Sequence, residues 1–355
     1  MPDLFTIIRP LLHALPPELA HQASLKALKC GFLPANKPAT SPILSQNILG
    51  LEFKTPLGIA AGFDKNAEVV NPLLMQGFSF IEAGTVTPLP QAGNDKPRIF
   101  RLTEDNSIIN RLGFNNHGLD IFVKNFSKHN KKFGIAGANI GKNRDTEDAA
   151  VDYVKGLTAI YPYADYITIN ISSPNTKGLR DLQKRASLSP LLAEISKARE
   201  QAINTYNKKI PIFLKISPDI DGKECENIAE AIISNGVDGL IISNTTISRP
   251  EFLKSARRSE TGGLSGPPLF ASSTKTLANM YKITKGKIPI IGVGGIASPE
   301  DAYIKIRAGA SLIQMYTALV YQGLGLVRSI NDKLPIMLER DGFKNISEAI
   351  GSDIN

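Results

Sequence analysis

Tyr166-Ile167-Thr168-Ile169-Asn170-Ile171-Ser172-Ser173-Pro174-Asn175-Thr176 is a β-type run that stops at a cluster of small hydroxyl and amide side chains. In parallel α/β folds, ligand sites gather at the C-terminal ends of strands. An ordinary strand-to-loop turn also uses Ser, Pro and Asn, so the rest of the chain decides between the two. Seven further β-type runs occupy residues 57–61, 80–84, 134–140, 211–216, 238–243, 288–293 and 311–315, with this one at 165–170. Helix-period stretches separate most of them, among them residues 190–205, 223–235 and 299–307. Alternating βα units predict a parallel sheet, and eight of them predict a closed (β/α)8 TIM barrel. An open doubly wound sheet is the alternative, but no Gly-x-Gly-x-x-Gly follows the first run.

The 355 residues suit such a barrel with an added piece. With 42% hydrophobic and 21% charged residues, the composition is that of a globular protein able to build a full core. Basic residues number 41 against 33 acidic, a formal net charge of +8, which points to an anionic partner without naming it. The lysines and arginines are scattered and no nucleic-acid-binding motif occurs, which argues against nucleic acid. Cys30 and Cys225 cannot make a disulfide framework, and neither they nor the four histidines have metal-ligand spacing. A reducing compartment and no metal are expected.

Ahead of the first strand, Leu4, Phe5, Ile7, Ile8, Leu11 and Leu12 recur at helical spacing. Leu19, Ala20, Ala23, Ala27 and Leu28 predict a second helix after Pro16-Pro17. Arg9, Pro10, His13 and Pro16 interrupt the first run, which falls short of the ~20 apolar residues of a membrane span. No basic start leads into a small-residue cleavage site, so no signal peptide is expected. Two short apolar helices either pack against the barrel or lie in a membrane interface. An arginine at a bilayer centre would cost about 2.5–3.5 kcal/mol, so lying on the membrane is favoured over crossing it.

The ends of the strands are chemically loaded. Ala61-Gly62-Phe63-Asp64-Lys65-Asn66 follows the first, Gly84-Thr85-Val86-Thr87-Pro88 the second and Asn139-Ile140-Gly141-Lys142-Asn143 the third. Lys215-Ile216-Ser217-Pro218, Ser243-Asn244-Thr245-Thr246, Gly292-Val293-Gly294-Gly295-Ile296 and Tyr316-Thr317 close the last four. One polar loop is ordinary, whereas polar and glycine-rich ends on nearly every strand predict a ligand site on the barrel's C-terminal face. Gly294-Gly295 ahead of the N-cap sequence Ser298-Pro299-Glu300, with Thr317 opening the next helix, fits a phosphate site. Gly262-Gly263-Leu264-Ser265-Gly266 could add backbone donors. Lys65 and Lys215 emerge where core residues are expected. Lys65 can be read as a snorkelling surface lysine, but Lys215 has apolar neighbours, and a buried lysine is costly unless matched by negative charge. An anionic ligand would satisfy both.

These blocks, together with Pro90-Gln91-Ala92-Gly93-Asn94-Asp95-Lys96-Pro97-Arg98 and Asn110-Arg111-Leu112-Gly113-Phe114-Asn115-Asn116, are similar in kind and order to those of the dihydroorotate dehydrogenase family. The resemblance covers nearly the whole chain. Ser173 and the N-terminal extension resemble the quinone-using class 2, since class 1 carries cysteine at that position and lacks the extension. The resemblance implies a helical quinone-tunnel extension over residues 1–40 and a catalytic barrel over 41–355. It further implies oxidation of (S)-dihydroorotate to orotate, with FMN as prosthetic group and a membrane quinone as acceptor, in de novo pyrimidine biosynthesis.

Residue by residue, Ser173 is implied as the base that removes the C5 proton while hydride leaves C6, with Thr176 and Phe114 flanking it. Lys65, Asn110, Arg111, Leu112, Gly113, Phe114, Asn175, Asn244 and Thr245 are implied for the substrate. Ala61, Gly62, Phe63, Asp64, Lys65, Thr85, Asn139, Asn170, Lys215, Ser243, Gly266, Gly295, Tyr316 and Thr317 are implied for FMN, Ser243 standing where threonine is common. Lys215 would stabilise the negative charge of a reduced flavin. His21 and Arg101 match positions lining the quinone tunnel beside Tyr316. Residues 177–184, glycine-containing and charged, are expected to form a lid. The resemblance also implies a bacterial-type monomer, peripheral on the cytoplasmic side of the inner membrane. Competing readings are a class 1 enzyme, a cofactor-free phosphate-binding barrel, and a membrane-binding scaffold on an inactive barrel.

Overall fold

Glycine and aromatic residues face each other across neighbouring strands, and this pairing fills the middle of the molecule. Gly58 pairs with Phe80, Gly137 with Tyr166, and Gly239 with Phe213. A Cβ on any of the three glycines would lie 2.0–2.5 Å from the opposite ring, so each ring occupies the space its partner leaves empty.

The computed structural model describes residues 4–33 and 41–354. Its strands in chain order are β1 Gln46–Ile48, β2 Leu51–Phe53, β3 Leu57–Ile59, β4 Phe80–Val86, β5 Ile99–Leu102, β6 Ser107–Asn110, β7 Ile135–Ile140, β8 Tyr166–Asn170, β9 Ile212–Ile216, β10 Gly239–Ile242, β11 Gly263–Ser265, β12 Ile290–Val293 and β13 Leu312–Met315. The helices are α1 Leu4–Ala14, α2 Pro17–Lys29, α3 Val70–Leu74, α4 Gly118–Phe126, α5 Ala149–Ile160, α6 Arg185–Tyr206, α7 Gly222–Ser234, α8 Phe270–Ile283, α9 Pro299–Arg307, α10 Thr317–Gln322, α11 Gly325–Arg340 and α12 Ile346–Ala349. The expected boundary after residue 40 falls at the edge of residues 34–40, outside the described ones.

All eight expected strands are present. They close as a parallel barrel in the order β3-β4-β7-β8-β9-β10-β12-β13. Strand alternation sends Ile81 and Ala83, Ala136 and Ala138, Ile167 and Ile169, or Leu214 and Ile216 outward onto the helices, where they join the main core. The inward set begins with Phe80, Tyr166, Phe213, Ile291 and Leu312. Phe53, from the β1–β2 hairpin, meets Phe80 edge to face at 5.3 Å and closes the N-terminal mouth. On β4, β7, β8, β9 and β13 the next inward position is polar: Glu82, Asn139, Thr168, Lys215 and Gln314, all buried. Apolar below and polar above, the barrel axis forms the floor of a site.

Helix ends follow local chemistry. Asp221 and Glu224 make a reciprocal capping box at the start of α7. Ser298 caps α9 ahead of Pro299, as expected from the sequence. The helix expected from residue 190 begins earlier, at Arg185, so that Pro190 lies inside α6. Two antiparallel pieces were not expected, namely the β1–β2 hairpin and a sheet in the order β11-β6-β5. The second covers the barrel's C-terminal end.

The first two helices are present as expected, and they dock on the barrel while keeping an apolar face outward. Arg101 on β5 donates to the carbonyls of Leu12, His13 and Leu15, satisfying the open C-terminal end of α1. Arg9 donates to the Tyr321 carbonyl at 3.1 Å. On α2, Glu18 receives Arg98 at 2.5 Å and Lys96 at 3.0 Å. Ile7 and Leu11 remain 63% and 71% exposed. Among the described residues, no helix is long and apolar enough to cross a membrane.

Candidate active site

A cavity opens at the C-terminal face, and the strand-end loops line it. Ser173, Lys65, Asn110, Leu112, Gly113, Phe114, Asn175, Asn244 and Thr245 are on its wall. So are Ala61, Gly62, Thr85, Asn170, Lys215, Ser243, Gly266, Gly295, Tyr316 and Thr317. Four of the residues expected at the site turn elsewhere. Arg111 points outward to Glu260 at 2.8 Å and stacks on Phe100. Asp64 accepts the backbone N–H groups of Glu68 and Val69, both at 2.8 Å, which fixes the loop that carries Lys65. Burial pushes the Asp64 carboxyl up to about 6. Phe63 packs on Tyr316 with centroids 5.5 Å apart. Asn139 lies one layer below the wall.

That lower layer centres on Glu82. Its Oε1 accepts from Asn139 at 2.7 Å, and its Oε2 accepts from Thr168 at 3.1 Å, Gln314 at 3.1 Å and the Tyr166 hydroxyl at 3.3 Å. Lys215 Nζ stands 3.8 Å from Oε1. Asn139 in turn accepts from the Thr85 hydroxyl at 2.6 Å and the Asn170 amide at 3.2 Å. The network thus reaches the cavity wall through Thr85, Asn170 and Lys215. Gln314 also lines the cavity, and its Oε1 is buried without a partner. Glu82 and Gln314 were not expected at the site. A charged residue inside the apolar run Phe80–Ala83 is the same signal that singled out Lys215.

The amide cluster is pre-set by its own contacts. Asn170 Oδ1 accepts from Ser172 N–H and Oγ, and Asn244 donates to Ser172 Oγ at 3.0 Å. Asn175 donates to Asn110 Oδ1 at 3.2 Å. Asn94 bridges the Arg111 and Asn175 carbonyls, tying the loop after β4 to the serine motif. Ser173 is buried, and its Oγ accepts from the Asn175 N–H at 3.3 Å. Phe114 holds a left-handed φ of 55°, uncommon for an aromatic residue. Asn116 fixes it by donating to its carbonyl at 2.7 Å. Thr176, expected to flank the serine, is buried and off the cavity wall, its hydroxyl without a partner.

The other end of the cavity is built of backbone. Gly266, Gly294 and Gly295 have φ of 101°, 108° and 80°, and a Cβ on Gly295 would lie 2.5 Å from Phe270. Only glycine keeps this turn open. The Thr317 hydroxyl donates to Ser265 Oγ at 2.8 Å. Lys65 is half-buried. Desolvation, joined by the like charge of Arg98 and partly offset by Glu18, holds its ammonium down to about 8.

A model of the family described as "Dihydroorotate dehydrogenase" matches residues 43–338. A dihydroorotate dehydrogenase (quinone) of Azorhizobium caulinodans is 49% identical over 99% of both chains. The chain belongs to the dihydroorotate dehydrogenase family. The mitochondrial dihydroorotate dehydrogenase (quinone) of Arabidopsis thaliana is 46% identical over 98% of this chain and 81% of its own length. A crystal structure of the Eimeria tenella dihydroorotate dehydrogenase in complex with ferulenol superposes with a TM-score of 0.91, at 44% identity over 95% of each chain. The chain is thus an oxidoreductase, and it stands with the quinone-named dihydroorotate dehydrogenases rather than with a cofactor-free barrel.

His21 on α2 sits at the edge of this dihydroorotate dehydrogenase site, 5.2 Å from the Phe63 ring and 6.4 Å from Tyr316. Burial, with the charge of Lys65, takes its imidazole down to about 4, so it is neutral at physiological pH. Arg101 is spent on α1 and lies off the cavity wall. The expected lid forms a short 3₁₀ turn, Leu179–Gln183. Arg180 fastens it by donating to the Ser172 carbonyl at 3.1 Å, the Thr245 carbonyl at 2.9 Å and Asp219 at 2.8 Å.

Proposed function

We propose that the chain oxidises (S)-dihydroorotate to orotate, with FMN held in the cavity and a membrane quinone as the final acceptor, in pyrimidine biosynthesis. The observation that carries this reading is the convergence of Ser173, four asparagine amides and two lysines on one cavity. The donor set fits FMN. Amides and Lys215 at one end match a hydrogen-bonding planar ring, and glycine backbone with Thr317 at the other matches a phosphate. The unpartnered Gln314 Oε1 on the wall is an acceptor left for whatever fills the cavity.

FMN, when bound, supplies the acceptor for the hydride that leaves C6 of the substrate. Ser173 Oγ takes the C5 proton. A hydroxyl is a weak base, so as Ser173 takes the C5 proton it must pass its own proton on through water to solvent, and the unpartnered Thr176 hydroxyl can relay it by accepting one hydrogen bond and donating another. Asn110, Asn175 and Asn244 hold the ring amides, while Lys65 meets the carboxylate. Arg180 keeps the 179–183 turn over the serine motif, and its release is the lid's opening step. In this reading the chain is a monomer attached peripherally to the cytoplasmic side of the inner membrane, and the outward apolar face of α1 supports attachment to a membrane surface. Quinone enters past α2, where a neutral His21 and the Phe63 and Tyr316 rings suit an apolar guest.

Purified protein is expected to be yellow, to bleach with dihydroorotate under anaerobic conditions, and to regain colour with a short-chain quinone. A colourless protein overturns the cofactor reading, and bleaching without quinone recovery overturns the acceptor. Orotate affinity, read from the flavin's spectral shift, is expected to be level at neutral pH and to weaken as pH rises through about 8. The bound carboxylate favours protonated Lys65, so the complex keeps a proton that the free enzyme loses, and each further unit costs about tenfold. An affinity level to pH 10 would detach Lys65 from the substrate.

A further inference from the structure

We infer that Glu82 is a positioning residue for the reaction: it keeps Lys215 charged beneath the flavin site throughout the working pH range. The inference rests on the FMN reading above and concerns a residue that reading does not use. The Glu82 side chain is 0% exposed and Lys215 is 6% exposed, so neither can be neutralised by solvent. Four donors converge on the two Glu82 oxygens, from Asn139, Thr168, Gln314 and Tyr166. An ionised carboxylate offers acceptors only, and this set of donors matches that form. A protonated carboxyl would add a fifth donor to the cluster. Among the described residues, Lys215 is the one cation within ion-pair distance of Glu82.

On balance burial lowers the affinity of Lys215 for its proton, and the charge of Glu82 works against that shift and limits it. The other titratable groups around the lysine are Tyr166 from β8, which shares Glu82 with it, and Lys65 and Tyr316, which line the same cavity. β10, β12 and β13 present Ile241, Val293 and Gln314 inward. Among the described residues, Glu82 is therefore the only anion in this shell to favour the charged lysine. A lysine that is already charged meets the negative charge arriving with hydride without having to recruit a proton at that moment, which is preorganisation.

The test uses the flavin-loaded holoenzyme. In Glu82→Gln, the visible flavin spectrum is expected to acquire a pH-dependent transition, lowered from any in the unaltered enzyme by about two units or more. In Glu82→Gln/Lys215→Arg the transition is expected to vanish, because a guanidinium does not deprotonate. No transition in Glu82→Gln, or the same midpoint in both proteins, overturns the inference. Should Glu82→Gln not yield folded protein, the ¹³Cε resonance of Lys215 in the unaltered chain decides. It is assigned by its loss in Lys215→Arg. A resonance holding its charged shift past about pH 9.5 supports the inference, and titration below the ordinary lysine value of about 10.4 by more than a unit overturns it. Absence of yellow colour is read separately and bears on the cofactor alone.

Discussion

Ser173→Ala is expected to slow anaerobic bleaching of the flavin by dihydroorotate by about 10²–10⁴-fold, the span a positioned general base supplies. The substitution removes one hydroxyl whose recorded contact is a 3.3 Å bond from the Asn175 N–H. At a cavity wall, that N–H can turn to water, so stability is expected to change by less than about 1 kcal/mol. Orotate binding runs through Asn110, Asn175, Asn244 and Lys65, and its dissociation constant should stay within about threefold. The separation of rate from affinity is the informative part, since a loss confined to the rate belongs to the chemical step. Rapid mixing of holoenzyme with substrate measures the first quantity, and spectral titration with orotate the second. A rate within about fivefold of the unaltered enzyme would show that the proton leaves by another route.

The serine was legible because the 165–170 run ends where a parallel barrel exposes its strand ends, and the alternation of buried runs fixed eight strands. The elements not legible in the sequence have physical reasons for it. β1 and β2 have three residues each, and their turn through Leu49 and Gly50 has positive φ at both positions, which a single Gly in sequence does not announce. β5 and β6 have only four residues each, although the turn Thr103–Asn106 between them is a hairpin signal in its own right. At the site, a motif identifies a loop but not the direction of each side chain. Asp64 and Lys65 are neighbours, yet one caps the loop and the other faces the cavity. Arg111 and Asn110 divide in the same way, because successive residues of an extended chain point to opposite sides. Asn139 and Glu82 lie one inward step below the wall, a depth fixed by barrel closure and not by the strand's own sequence.

Lys215→Met is expected to yield a colourless protein that is less stable than the unaltered one by about 3–5 kcal/mol, the cost of breaking a buried ion pair from one side. Part of the loss is the missing ligand, since any group that binds only the folded state stabilises it. A second variant separates the two contributions. Lys215→Met/Glu82→Gln also lacks the lysine and is also expected to be colourless, but its barrel axis carries no uncompensated charge. A glutamine keeps an acceptor oxygen for the donors around position 82, and the Thr168 and Tyr166 hydroxyls can rotate to accept from its amide. The double variant should therefore recover most of the gap in urea denaturation. The sign of the pH dependence follows. In Lys215→Met an ionised carboxylate at position 82 is buried without its counter-charge, while the carboxyl of the unfolded chain ionises freely above about pH 4.3. Stability then falls as pH rises above that value, because ionisation favours the unfolded chain. The double variant lacks this dependence, so the two flavin-free proteins should agree near pH 4 and diverge toward pH 8. Equal stabilities at every pH would mean that Glu82 is not held as an anion, and the ionic floor of the site would have to be replaced by a neutral hydrogen-bonded one.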